Sequence, residues 1–400
     1  MDTEGILCEV LSRLPAKSLL RSQAVSKTCS SFSSDNFFIR KHSEQALTMD
    51  VPGFFIQQHH RWGKIELHML PGSKEKKKNF DDYGVPNTSL DFIYNTSKIL
   101  GSHNGLLVLK NMNEDRMGLF LCNPATKKCF TIPNPTPNST NHFLWGIHIV
   151  SNSTASATKG FPDNLEVIMI KPIEEWAPYN SIYKYTINGQ SWEEMGEFYT
   201  GDRSIVYDMP VYCKGAIHFI SDTFRYLSKG SPDYKPYIVA CDIDKGISWR
   251  LKLPKEASRR SHDITCEMGI FNWGKSLQSS LCLIRLRKSV FMAWVLDDYE
   301  MSSWTLVLKT RVRAMGLEEP NPVVYGFTVI NGDSLVFATV ERIYRCRLIL
   351  SGGRPRQSVE AEEICRHDLG RNTRHLWLTG YANTLRPCGT AEHPLPSYLK

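Results

Sequence analysis

The sequence predicts a small α-helical module followed by a long all-β domain, and three observations predict it. Residues 6–38 carry helical periodicity, nearly everything after residue 53 reads as short strands, and a strand–turn–strand phrase recurs through that second part. In the first stretch Ile6, Leu7, Val10, Leu11 and Leu14 fall at i, i+1, i+4, i+5 and i+8, one apolar face of a helix. Pro15 pushes Leu14 out of the helical region and sets the start of a second short helix bearing Leu19, Leu20 and Ala24. Val25, Cys29 and Phe32 follow at i, i+4 and i+7 on a third helix, and Ile39 to Leu47 is expected to add a last turn or two. A module this short, without disulfide or metal, rarely buries enough apolar surface to be stable alone. Its apolar faces are therefore expected to be covered by a partner or by the rest of the chain.

The β part is read from its turns. Ile99 to Lys110 places Asn104-Gly105 between two apolar runs, a strong hairpin signal. Leu119 to Asn123 turns at Pro124-Ala125-Thr126 and returns through Lys128 to Ile132. Ser181 to Ile187 turns at Asn188-Gly189 and returns through Trp192; Tyr237 to Ile243 turns at Asp244-Lys245-Gly246 and returns through Trp249; Phe291 to Leu296 turns after Asp297-Asp298 and returns through Trp304. Further pairs run from Val211 to Ile220, from Val323 to Ala338, and from Arg342 to Arg366 around Ser351-Gly352-Gly353. The turns at 123, 188, 244 and 298 are about 50 to 65 residues apart, room for four short strands each. Radial repetition of such units removes exposed edges, so a β-propeller of six or seven blades is expected, with the tryptophans wedged between blades. Leu376 to Tyr381 is placed to close the ring with strands just after the helical module.

Composition narrows the function. At 42% hydrophobic and 22% charged residues the 400-residue chain is globular, and its net charge of +7 is too mild to argue for nucleic acid. No apolar run reaches membrane-spanning length, and Met1-Asp2-Thr3-Glu4 lacks the basic start of a signal peptide. Eleven scattered cysteines argue for free thiols in a reducing compartment, so the cytoplasm or nucleus is expected. The sequons beginning at Asn87, Asn95, Asn138 and Asn152 then remain plain polar loop sequence, as does the basic run Lys74 to Lys78.

The string Val10-Leu11-Ser12-Arg13-Leu14-Pro15-Ala16-Lys17-Ser18-Leu19-Leu20, followed by Ala24-Val25-Ser26-Lys27, resembles the F-box of plant F-box proteins. Two departures stand out: Asp2-Thr3 occupies the place of the usual opening Leu-Pro, and Cys29 that of a usual Trp. The resemblance implies docking on a Skp-type adaptor, and through it on a cullin-RING ubiquitin ligase, by Leu11, Leu14, Pro15, Leu19, Leu20 and Val25. Gly101-Ser102-His103-Asn104-Gly105-Leu106-Leu107, Leu121-Cys122-Asn123-Pro124-Ala125-Thr126, Ile238 to Ile243 with Leu251-Lys252-Leu253-Pro254, and Ser303-Trp304-Thr305-Leu306 resemble the F-box-associated domain, of kelch-like propeller type. This implies an F-box over residues 1–46 and a substrate-recruiting propeller over 50–400, with no catalytic residues, no cofactor and no metal. The partners implied are the adaptor and a protein target, with neither nucleic acid nor membrane.

Two rival readings remain. Gly269-Ile270-Phe271-Asn272-Trp273-Gly274-Lys275-Ser276 is a literal G-x-x-x-x-G-K-S, in which backbone N–H groups would wrap phosphates and Lys275 would reach them. The bulky Ile270, Phe271 and Trp273, and the expectation of a hairpin turn here, argue against a nucleotide-binding enzyme. The other rival is an interaction protein uncoupled from the ligase, motivated by Asp2-Thr3 and Cys29. His59-His60 point to opposite faces of a strand, and His262-Asp263 and Asp81-Asp82 read as solvated loop charges.

Overall fold

Four helices open the chain: α1 (Thr3–Leu11), α2 (Ala16–Ser22), α3 (Lys27–Phe32) and α4 (Asn36–Thr48). The computed structural model describes residues 3–48, 53–58, 65–70, 97–113, 116–134, 146–151, 165–348 (apart from 175, 188, 209, 260, 264 and 275–278), 359–369, 375–389 and 393–394. Pro15, at φ −55°, ends the first helical stretch and starts α2 as its spacing requires. Ser26 caps α3, its side chain accepting from the Cys29 N–H at 3.1 Å, and the Asp35 carboxylate accepts from the Phe37 N–H at 2.9 Å ahead of α4. Two expectations are corrected here. Val25 lies in the turn before the Ser26 cap, not on the third helix, because the capping serine fixes where α3 begins. The last helix is 13 residues long rather than a turn or two. Among the described side chains of α4, Phe38, Ile39, His42 and Ser43 are the buried ones, and the polar residues among and around them hide the period.

The strands form six sheets among the described residues, arranged as a six-bladed β-propeller. β1 (Gly53–Gln58) and β2 (Ile65–Met69) wait for the end of the chain. β3 (Ser97–His103), β4 (Leu106–Asn113), β5 (Arg116–Asn123) and β6 (Lys128–Ile132) make the first complete sheet. The next are β7 (Gly146–Ser151) to β8 (Leu165–Pro172), β9 (Tyr179–Thr186) and β10 (Ser191–Tyr199), then β11 (Val211–Cys213), β12 (Ala216–Ile220), β13 (Tyr237–Asp242) and β14 (Ile247–Lys252). After the short helix α5 (Lys255–Ser258) come β15 (Cys266–Trp273), β16 (Ser280–Arg287), β17 (Val290–Asp298) and β18 (Ser303–Arg311), then β19 (Gly326–Ile330), β20 (Ser334–Ala338), β21 (Arg342–Arg347) and β22 (Glu362–Arg366). Finally β23 (Leu376–Tyr381) pairs antiparallel with β1, Gly53 opposite Tyr381 and Gln58 opposite Leu376, and closes the ring. β24 (His393–Pro394) adds to the outer edge of the first sheet beside β6.

Blade strands are packed on both faces, so they read as continuous apolar runs more than as alternations. In β1, Phe54 and Ile56 pack with Ile330, Val336 and Ile343 of the preceding blade, whereas Phe55 packs with Ile99, Leu107 and Leu109 of the following one. The tryptophans do bridge blades. Trp304 Nε1 donates to the Lys252 carbonyl of the preceding blade at 2.9 Å, and Trp192 Nε1 donates likewise to the Pro133 carbonyl.

Antiparallel order fixes two faces. The Gly274 N–H donates to the Gly332 carbonyl, the Cys213 thiol to the Ser279 carbonyl, and the Thr384 hydroxyl to the Asn104 carbonyl. Turns between first and second strands of different blades therefore lie together. On the other face the Leu376 N–H donates to the Tyr325 carbonyl where β19 and β23 begin. That second face carries the connections between second and third strands and those between blades; it is called the loop face below.

The helical docking module and the loop face

The helical module builds its own core from Leu11, Ala16, Leu19, Cys29, Phe32, Phe38 and Ile39. The Phe32 and Phe38 rings lie 5.0 Å apart, and the buried His42 stacks on Phe38 while its Nε2 meets the Leu14 carbonyl at 3.0 Å. Burial lowers the His42 pKa, so the neutral ring fits this place. Leu385, which follows the ring-closing strand, is buried in the same cluster, and Ala125 of the β5–β6 turn packs against it. The helices thus sit on the face opposite the loop face, and their core is completed by the ring itself.

The residues expected to face an adaptor divide into two groups. Leu11 and Leu19 are buried in the module's core, 5% and 0% exposed. Leu14, Pro15 and Leu20 are half-buried and Val25 is 79% exposed. Ile6 and Val10, one helical turn apart on α1, are exposed, and Phe37 is exposed as well. Glu9 on α1 accepts from Arg13 at 2.6 Å and from Lys41 of α4, ties that hold its carboxyl down to about 2. Cys29, in place of the usual Trp, is an interior residue of this module.

The nucleotide reading is corrected by the strands. Gly269 to Trp273 lie in β15, paired residue by residue with β16 from Gly269–Ile284 to Trp273–Ser280. An extended strand sends successive N–H groups to opposite sides, alternate ones into the ladder, and cannot curl them around a phosphate. Cys266-Glu267-Met268 belongs to the same strand, and Lys275 and Ser276 lie outside the described residues. So do His59-His60, Asp81-Asp82, Lys74 to Lys78, the Asn of all four sequons, and Ser351-Gly352-Gly353. No group of three or more potential metal ligands occurs among the described residues.

On the loop face, the second and third blades present an aromatic cluster. Trp176 and Phe224 are 72% and 73% exposed, and the Trp176 ring meets Tyr226 edge-on at 5.7 Å. Trp176 holds φ +67°, a left-handed backbone that a bulky residue adopts only under constraint. Beneath the neighbouring loop lies Arg203, fully buried in its side chain, which donates to the carbonyls of Asp233 (2.7 Å), Phe224 (2.9 Å) and Tyr234 and to the Asp222 carboxylate at 3.1 Å. Its guanidinium also stacks 5.5 Å from the Tyr226 ring. Burial pushes the Asp222 carboxyl up against the pull of Arg203. One arginine thereby pins the whole 222–234 connection, a preorganised rather than adaptable loop.

Residues 4–41 match the F-box domain. The helical module is an F-box. F-box protein At5g18160 of Arabidopsis thaliana is 31% identical over 130 residues, 32% of this chain and 31% of that protein, so the match spans about a third of that relative's length. F-box protein At5g49610 of the same plant is 21% identical over 334 residues, covering 78% of this chain and 79% of the relative. Among solved structures, TolB from Acinetobacter baumannii is similar with a TM-score of 0.42 at 15% identity, covering 82% of this chain and 71% of that one. The matched F-box region takes in α1 to α3 and the start of α4.

Proposed function

We propose that this chain is the substrate-recognition subunit of a Skp–cullin–F-box ubiquitin ligase, acting in the cytoplasm or nucleus. In this reading residues 1–46 dock on a Skp-type adaptor and the propeller within residues 50–400, of F-box-associated type, holds a protein target for ubiquitylation. The observation that carries it is the F-box fixed to one face of a rigid ring whose longer connections gather on the other. The chain contributes position rather than catalysis: a stiff body between adaptor and target sets where the target meets the ligase. The adaptor-facing surface is Leu14, Pro15, Leu20 and Val25, extended by the exposed Ile6 and Val10, while Leu11 and Leu19 shape it from beneath.

Co-purification of the full chain with a Skp-type adaptor tests this. Leu14→Asp with Leu20→Asp is expected to abolish adaptor capture. Because both side chains also pack on the module's core, Val10→Asp with Val25→Asp serves as the second variant; it alters only exposed positions and is expected to weaken capture at least tenfold with the fold unchanged. Capture equal to wild type by both variants refutes the docking assignment.

A further inference from the structure

A second feature of the loop face lies between the third and fourth blades. A cleft of about 520 Å³ is lined by five cations, Arg285, Arg287, Lys288, Arg311 and Arg313, and by no carboxylate. The strand register makes this cleft. Arg285 stands opposite Met292 and Met292 opposite Lys309; Arg287 stands opposite Val290 and Val290 opposite Arg311. Directly paired residues share a sheet face, and so do residues two apart on a strand. Two rows of cations therefore flank a short apolar floor. Lys288 and Ser289 form the tight turn between β16 and β17 at φ +48° and +55°, both left-handed and neither glycine.

Three of the cations are held in place, and a carboxylate meets one of them. Arg285 is only 6% exposed, and its guanidinium donates to the carbonyls of Glu256 (2.7 Å) and Arg259 (2.8 Å), neither of which carries a full negative charge. Arg287 has one carboxylate, Asp263, at 2.7 Å. The exposed Arg313 donates to the Asn321 amide oxygen at 2.8 Å. Like charges in neighbouring rows of a sheet repel, so this arrangement weakens the blade unless an anion enters it.

We propose that this cleft takes a phosphoryl group carried on a segment of the target protein. Counting Lys309 of the second row, six cations meet two carboxylates, Asp263 at Arg287 and Glu256 3.7 Å from Lys309, an excess that a single further side-chain carboxylate would not neutralise. A phosphoryl group brings a charge near −2 and three acceptor oxygens, which suit forked arginine donors. A net charge of +7 is mild for a nucleic-acid binder, which favours a single group on a peptide over a nucleic-acid backbone. The proposal rests on the reading of the ring as a target receptor and adds what that receptor reads.

The test uses the full chain and a fluorescent phosphoserine peptide library beside its unphosphorylated counterpart, with inorganic phosphate and a DNA duplex as further probes. Expected is at least tenfold tighter binding of the phosphorylated library. Arg311→Ser with Arg313→Ser, both exposed, is expected to erase that difference, and Lys288→Ser to reduce it. Equal binding of the two libraries, an unchanged preference in the double variant, or equally tight binding of duplex or of inorganic phosphate alone overturns the proposal. Adaptor capture measured on the same double variant separates the two readings. Its retention alongside lost phosphopeptide binding supports the cleft specifically, whereas a wild type that prefers the phosphorylated library but captures no adaptor refutes only the docking.

Discussion

Leu385→Ala probes the join between helices and ring. Leu385 is 4% exposed and packs in the cluster with Leu11, Leu19, Phe32 and Phe38. Truncation removes three carbons, about 2.4 kcal/mol at ~0.8 kcal/mol per buried CH₂, and leaves a cavity beside a module too small to close over it. A loss of about 3 kcal/mol is expected, within the usual range for a buried leucine. Because the blade cores lie between sheets and not around Leu385, the cost should fall on the helices. In hydrogen exchange, amides of α2, α3 and α4 are expected to open roughly 100-fold more often, at ~1.4 kcal/mol per tenfold, while β11 to β18 keep their protection. Unchanged helix exchange would show that the module is self-sufficient. Equal loss of protection in β11 to β18 would show that module and ring unfold as one unit. Either result refutes the reasoning.

Gly332→Ala should destabilise far more than Gly246→Ala, although both glycines are left-handed, at φ +70° and +65°. A Cβ on Gly332 would meet the Gly274 carbonyl oxygen at 2.4 Å, whereas Gly246 faces open space, so urea unfolding is expected to show more than ~2 kcal/mol against about 1 kcal/mol. Equal losses would mean that the inter-blade turn contact yields freely. Burial lifts the Glu267 carboxyl to about 7, and His375 Nδ1 lies 3.5 Å away. The folded state then holds this proton more tightly than the unfolded chain, so stability falls as pH rises from about 4.5 to 7 and flattens above. With 37% of the Glu267 side chain exposed the effect is discounted to about 1 kcal/mol, and Glu267→Gln should remove that slope from the urea midpoint; a variant with the wild-type slope counts against it.

Much of the ring was legible because hairpin turns announce themselves. Asn104-Gly105, Lys214-Gly215 and Asn331-Gly332 each carry left-handed backbone where the strands reverse, which is why those residue types stand there. Closure by Leu376 to Tyr381 was legible too, since an apolar run left without a partner in its own hairpin must find one elsewhere. Blade number was not, because β7 ends at Ser151 and β8 begins only at Leu165, too far apart in sequence for a two-residue turn to announce the pair. In the F-box, period identifies which residues are apolar but not which side of a thin bundle each one takes. Leu11 and Leu19 went inward while Ile6 and Val10 stayed out, and only the packing of α4 and Leu385 decides that. The basic cleft too has a signal in the sequence. Arg285 and Arg287 on one strand, with Lys309, Arg311 and Arg313 two apart on and just after another, are cations at a strand's period, and the register of β17 between them brings the two sets onto one face.

The geometry joins these features into one mechanical argument. β16 and β17, of 8 and 9 residues, rise ~3.3 Å per residue, which sets the loop face roughly 25 Å from the face that bears the F-box. The helices are not tethered by linker alone: Leu385 and Ala125 enter or touch their core, so the ring and the F-box share packed contacts. At the other end Arg203 pins the aromatic loop and Arg285 pins the basic cleft, each by carbonyl oxygens rather than by mobile surface charges. Anything bound on the loop face would therefore be held at a fixed distance and orientation from whatever binds the helices. The proposed receptor role calls for this property, because such a role acts on a target through where the target is held.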